Sequence, residues 1–418
     1  MGGTVSGLLG TGLVLQDNAA DDLIIAANGS FSFTTPLASG ASYAITVKSQ
    51  PKILTRVCTV SNGSGTVAAA AVVNVVVTCA APAARFAYVA NSGGNTVSAY
   101  TIDATSGALS PMVVPTVATG AFPDSVAVDP TGRFAYVANA DSGTVSAYTV
   151  DGTSGALSPM AVPTVATGNR PYSVTVDPTG RFAYAVNAGS NTVSAFTIDN
   201  TSGVLSPMAV PTVATETNPQ SFAVDPTGRF AYVANYLSST LSAYTIDATS
   251  GALSPMAVPT VATGTGPIHV TVDPTGRFAY VANASDNTVS AYTIDATSGA
   301  LSPMPVPTVA TGARPYQVAV DPTGRFAYVA DANGNAVSAY TIDGTTGALS
   351  PMAVPMVATG GAPYSLAVDP TGRFAYAPNI DALTVSAFTI DATSGVLTPM
   401  AGPAAVTGFG PLGIALSR

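Results

Sequence analysis

The sequence predicts an all-β chain, a seven-bladed β-propeller preceded by a small β-sandwich. Three observations lead there. A unit of 48 residues recurs seven times, marked by Asp-Pro-Thr-Gly-Arg-Phe-Ala-Tyr beginning at Asp129, Asp177, Asp225, Asp273, Asp321 and Asp369, with a worn first copy at Ala83-Ala84-Arg85-Phe86-Ala87-Tyr88. Such a period, in units rich in strand and turn residues, marks a propeller or a solenoid. Charged residues are only 8% of a chain that carries 40 glycines and 32 prolines, which suits tightly turned β-structure and disfavours long helices or a disordered tail. Residues 1–80 lack the repeat and show short alternating runs instead.

Those runs fall at 4–8, 13–16, 23–27, 30–34, 43–47, 56–60 and 72–78, separated by turn signals at Gly10-Thr11-Gly12, Asn28-Gly29 and Asn62-Gly63-Ser64-Gly65. Seven short strands at this spacing predict a sandwich. The segment resembles the immunoglobulin-like or prealbumin-like modules found near the N-terminus of bacterial surface proteins, where they serve as spacers or adhesion units. Its cysteines, Cys58 and Cys79, stand near the ends of predicted strands. They are either two buried thiols or one disulfide; the Ser/Thr/Ala/Gly-rich composition favours a disulfide and an extracytoplasmic protein, whether periplasmic, on the cell surface or secreted. No export signal is visible, which fits a cytosolic protein or a mature chain. Ala80-Ala81-Pro82-Ala83 reads as a linker.

From residue 83 to residue 418 each unit predicts four strands, taken here as A to D. In one copy these are 172–176, 182–186, 192–198 and a strand within 205–215, with Asp177-Pro178-Thr179-Gly180 and Asp199-Asn200-Thr201-Ser202-Gly203 as turns. Pro supplies a fixed φ and Gly a positive one at those turns. Four alternating, aromatic-bearing strands per repeat match a propeller blade. The first unit starts at strand B, and residues 411–416 read as a strand A with no blade after it. Docking that strand into the first blade closes the ring and covers its edges. An arginine opens each strand B (Arg85 to Arg373) and an aspartate closes each strand C (Asp103 to Asp391). Antiparallel pairing predicts one Arg–Asp ion pair per blade, with the aspartate also capping its turn. The rival is a ring of calcium sites, for which one carboxylate per turn is thin.

The phrases Phe-Ala-Tyr-Val-Ala-Asn at 278–283 and Asn-Thr-Val-Ser-Ala-Tyr-Thr-Ile-Asp at 287–295 resemble the YVTN-type propeller repeat. With Thr-Ser-Gly-Ala-Leu-Ser-Pro at 297–303, the unit is similar to the seven-bladed lactonase family, which includes 6-phosphogluconolactonase-like and muconate-lactonizing enzymes. The resemblance spans 83–418 and implies a lactone or small anionic ligand in the central channel, without a cofactor.

Bulk chemistry narrows the function. Net charge is −9 with 13 basic residues, against the basic face that nucleic-acid binding requires. No apolar run reaches the roughly 18 residues of a membrane span. One histidine and two cysteines cannot assemble the usual zinc, haem or iron–sulfur ligand sets.

Candidate site residues come from departures from the repeat, which gather in the connections from strand D to the next strand A. There lie the only glutamate, Glu216, and the only histidine, His269, with Arg170 and Arg314 in the flanking connections. A carboxylate and an imidazole provide acid/base chemistry and two guanidiniums provide an anion clamp. The expectation is Glu216 and His269 as catalytic groups, with Arg170, Arg314, Tyr172, Tyr316 and Gln317 as ligand-binding residues and no metal. Muconate-type propellers use His, Glu and Arg in a comparable channel, which the resemblance adds to the argument. The alternative is a non-catalytic scaffold or adhesion protein with a protein or cell-surface partner.

Overall fold

The computed structural model describes residues 1–8, 12–51, 57–80 and 83–418. Gly10-Thr11 of the first expected turn, Arg56 at the start of the sixth expected strand, and Ala81-Pro82 of the linker lie outside the described residues. The chain divides into two compact units, Met1–Pro82 and Ala83–Arg418.

The first unit contains β1 (Gly2–Ser6), β2 (Leu13–Asp17), β3 (Asp21–Ile25), β4 (Gly29–Ser32), β5 (Ser42–Ser49), β6 (Val57–Ser61), β7 (Ser64–Thr66) and β8 (Val75–Ala80). They form two four-stranded sheets, in the orders β4-β1-β8-β6 and β3-β2-β5-β7. Alternation sends Val5, Leu13, Leu15, Ile45, Val75 and Val77 into one shared apolar core. Two local differences from the expected strands have simple causes. Asn18 and Ala19 take positive φ of 48° and 56°, and Ala20 N donates to Asp17 O, so the turn is tight enough for Asp21 and Asp22 to join β3. Asn62 turns the chain at φ 56°, which frees Ser64–Thr66 to pair with Ser42–Ala44. Cys58 stands opposite Cys79 across β6 and β8, and the two are joined as a disulfide.

The second unit is a seven-bladed propeller. Five blades follow one plan, for example strand A at Pro171–Val176, B at Phe182–Asn187, C at Thr192–Ile198 and D at Leu205–Ala214. The last blade shortens strand A to Ala367–Val368 and splits strand D into Leu397–Pro399 and Ala405–Val406. The inner strand of the first blade is Pro411–Ser417, antiparallel to Phe86–Asn91 with Ser417 opposite Phe86. Contact between blades is built from the repeat itself. The strand-B tyrosine of each blade (Tyr88, Tyr136, Tyr184, Tyr232, Tyr280, Tyr328 and Tyr376) is fully buried and donates its hydroxyl to a glycine carbonyl in the C–D turn of the next blade, as Tyr88 does to Gly155 at 2.6 Å. That glycine is required twice over. Its φ is +74°, and a Cβ there would fall 2.4 Å from the Phe86 ring.

The expected Arg–Asp ion pairs do not form. Asp103 accepts instead from the backbone of Thr105 and Ser106 and from the Ser106 hydroxyl, which caps its own turn and holds the carboxyl below the usual carboxylate range. The arginine reaches across to the next blade: Arg85 donates to the carbonyls of Gly152 and Thr153 at 2.8 and 3.1 Å, with its guanidinium 4.9 Å above the Phe86 ring. The aspartate is already satisfied within its own turn, which leaves the arginine to the carbonyls at the tip of the next blade's turn. Among the described residues the one ion pair is Lys48–Asp22, in the first unit. No cluster of three or more metal-ligating side chains occurs among the described residues.

Candidate functional site in the central channel

Strand A opens with proline in six blades, and in the last Pro363 makes a lone bridge to Asn379 ahead of Ala367–Val368. The register against strand B slips just after the proline, between Pro123 and Ser125 and again between Pro171 and Ser173. The extra residue breaks the strict alternation of a strand, and two consecutive residues per blade line the channel wall. The first position reads Asp124, Tyr172, Gln220, Ile268, Tyr316, Tyr364 and Leu412 around the ring, and the second Ser125, Ser173, Ser221, His269, Gln317, Ser365 and Gly413. Both series line a cavity of about 200 Å³. A wider space of about 500 Å³ at the mouth is lined by the first series together with Phe122, Tyr236, Ile380 and Arg314.

The second position has a structural task in several blades. Ser221 Oγ accepts from Val270 N at 3.4 Å and Ser365 Oγ from Ile414 N at 3.3 Å, so each side chain ties its strand to the inner strand of the next blade. Gln317 uses Oε1 in the same way, accepting from Leu366 N at 3.0 Å. His269 occupies the equivalent place, but its Nδ1 is buried without a partner among the described residues. Burial pushes the imidazole pKa down to about 4, so the ring is neutral at physiological pH.

Aromatic rings dominate the mouth. Tyr316 packs against Tyr364 with centroids 4.4 Å apart, and burial raises the Tyr316 phenol pKa well above its ordinary value. Tyr172 lies beneath the Arg170 guanidinium at 5.5 Å. Arg314 is exposed and lines the mouth; its backbone N donates to Asn287 Oδ1 at 2.7 Å, which fixes a left-handed turn with φ 53°.

The expected site residues are therefore distributed unequally. Tyr172, His269, Tyr316 and Gln317 line the inner cavity and Arg314 its mouth. Glu216 is exposed and borders neither space; its charge acts on Tyr244, on strand C. Arg170 is exposed and reaches the site only through the Tyr172 ring. The carboxylate that does line both spaces is Asp124, and burial raises its pKa to about 7. Its signal in the sequence is its place directly after the strand-A proline, where Tyr172 and Tyr316 also stand.

Comparison with known proteins agrees with this architecture. A family model described as "Lactonase, 7-bladed beta-propeller" matches residues 52–174, 160–262 and 253–409. Among solved structures, a putative 6-phosphogluconolactonase from Bacteroides fragilis superposes with a TM-score of 0.70 at 21% identity, covering 80% of this chain and 98% of that one. A second, from Bacteroides uniformis, gives 0.69 at 18% identity over 79% and 98%. The periplasmic gluconolactonase of Pseudomonas aeruginosa gives 0.68 at 18% identity over 81% and 99%. No curated protein matches the sequence.

Proposed function

Because the chain belongs to the seven-bladed β-propeller lactonase family, we propose that it binds a small sugar-type lactone in the central channel and opens it by hydrolysis. One observation carries this reading. Seven nearly identical blades diverge where they meet the channel mouth, in the two residues after the strand-A proline and in B–C loop residues such as Ser92, Tyr236 and Ile380. A scaffold kept uniform elsewhere but varied around one concave space is suited to a specific small ligand. Aromatic faces and amide groups fit a hydroxylated ring, and Arg314 at the rim fits an anionic substituent or the carboxylate product. The solved relatives named as gluconolactonases support the same substrate class. The disulfide supports an extracytoplasmic location.

The test is a panel of neutral and phosphorylated sugar lactones with their open-chain acids, followed by thermal shift and by turnover above the spontaneous rate. Stabilisation by ligand together with turnover upholds the proposal; neither across the panel rejects it. A second reading, a non-catalytic surface scaffold, is favoured by the outer strands. Val114, Val162, Val210, Val258, Val306 and Val354 are 45–62% exposed, each followed by a proline that keeps the sheet edge from recruiting another strand. Under that reading partner binding survives substitution of every channel residue and is lost on replacing these valines.

A further inference from the structure

We propose that Asp124 is the general base of lactone opening, a role that rests on the lactonase reading above. The remaining channel-lining side chains are hydroxyls, amides, apolar groups and one neutral imidazole, so Asp124 is the lone carboxylate of the inner cavity. The repeated aspartates of the propeller are satisfied: Asp129 accepts from the backbone of Thr131, Arg133 and Phe134, and the C–D turn aspartates accept as Asp103 does. The Asp124 side chain makes no hydrogen bond among the described residues, and no arginine or lysine lines the inner cavity with it. A carboxylate in a channel wall without donors or counter-charge is unfavourable for stability. It is suited to taking up a proton from a bound molecule.

The geometry places it well. Asp124 is the extra residue of the strand-A slip in the second blade, and a Cβ at Gly413 would lie 2.7 Å from its carbonyl oxygen, so glycine there lets the C-terminal strand pack against it. The titratable and charged groups around it are Tyr172 and Tyr316, whose phenols feel its charge. His269 and Tyr364 lie on the same cavity, and Arg314 is at the mouth. Burial raises its pKa to about 7, so it is partly deprotonated at neutral pH and still basic enough to act.

The step balances without any further reactant. A water beside the carboxylate gives a proton to an Asp124 oxygen while its own oxygen bonds to the lactone carbonyl carbon. The carbonyl electron pair moves onto its oxygen, where a protonated tyrosine hydroxyl of the mouth donates a hydrogen bond to it. The tetrahedral intermediate re-forms the carbonyl, the bond to the ring oxygen breaks, and that oxygen takes the proton back from Asp124. The product is a hydroxy acid, which loses its proton to solvent. The resulting carboxylate is repelled by Asp124 and drawn toward Arg314.

Asp124→Asn separates this assignment from its premise. With a lactone that the wild type turns over, the variant should keep ligand-induced thermal stabilisation and lose about 100-fold or more in kcat. The wild-type rate should rise with pH through about 7, and that rise should vanish in the variant. A folded Asp124→Asn protein with wild-type kcat overturns the assignment and leaves the lactonase reading standing. So does a Glu216→Gln protein less active than Asp124→Asn. Absence of turnover in the wild type across the panel overturns both. If Asp124→Asn folds poorly, Asp124→Glu, which keeps the base but moves it, should retain the pH-dependent rise with reduced kcat; loss of that rise also rejects the assignment.

Discussion

The Tyr376 hydroxyl donates to the Gly107 carbonyl oxygen at 2.7 Å, across the join between the last blade and the first. The same bond recurs between neighbours elsewhere in the ring, as in Tyr136 to Gly203 and Tyr328 to Gly395. Arg373 adds bonds to the carbonyls of Ala104 and Thr105 at 3.1 and 2.9 Å. The join is therefore built like every other blade contact, and its distinguishing part is the C-terminal strand that completes the first blade.

Deleting residues from Gly410 onward should open that join. The truncation exposes the edge of Phe86–Asn91 and removes the buried side chains Leu412 and Ile414. Each such side chain contributes roughly 2 kcal/mol, and the bare edge invites aggregation. The expected result is a much lower melting temperature or an insoluble product. Tyr376→Phe should cost only about 1 kcal/mol, the net value of one buried hydrogen bond. An unchanged melting curve in the truncated chain would refute the closure scheme.

Asp331 makes stability depend on pH in a definite direction. Six blades carry a buried asparagine at this position; the sixth blade carries Asp331, which accepts from the hydroxyls of Ser338 and Thr311 at 2.6 and 2.8 Å. Burial raises its pKa from 3.8 to about 6. The folded state thus favours the protonated acid, and this contribution is fully present below pH 3.8 and is lost as pH rises through about 6. Asp331→Asn should be the more stable protein at pH 7.5, by up to about 3 kcal/mol, with the advantage gone near pH 3.5. Urea midpoints at the two values decide it; no pH-dependent difference rejects the account.

The repeat made the architecture legible because period and turn chemistry are local to one unit. The contacts between units were not. Arg85 and Asp103 look like partners within a unit, yet Arg85 bonds the turn at Gly152, 67 residues away. For the site, scarcity drew attention to the lone Glu216 and His269. His269, two residues after its strand-A proline, does line the channel, but Glu216, three residues before its strand-A proline, is exposed. Asp124 was hidden by composition, since aspartate recurs throughout the turns, and its meaning depends on the register slip after Pro123. That slip cannot be read from residue type.

The Cys58–Cys79 bridge should be intact in the native protein, giving a mass two hydrogen atoms below that of the dithiol and no alkylation before reduction. It closes a loop with a sequence separation of 21, for which chain entropy gives about 3 kcal/mol. Reduction should lower the melting of the first unit and leave the propeller transition in place. A native protein with two alkylatable thiols would contradict the bridge.

Arg314 should decide between anionic and neutral ligands. Its guanidinium is at the mouth, while its backbone N is held by Asn287 Oδ1 and its carbonyl accepts from Ala332 N. Arg314→Gln keeps both backbone bonds and removes only the charge and the fork of donors. A charge-assisted bond is worth about 1.5 to 3 kcal/mol, so KM for a phosphorylated lactone should rise roughly 10-fold or more. The same substitution should change KM for a neutral lactone less than about 2-fold, because that ligand offers the guanidinium no charge. Arg170→Gln should do less in both cases, since Arg170 touches the site only through the Tyr172 ring. Added salt should weaken binding of the anionic ligand in the wild type and matter less in Arg314→Gln, as an exposed charge is screened. Equal losses for neutral and anionic lactones in Arg314→Gln would mean that the residue shapes the mouth instead of recognising charge.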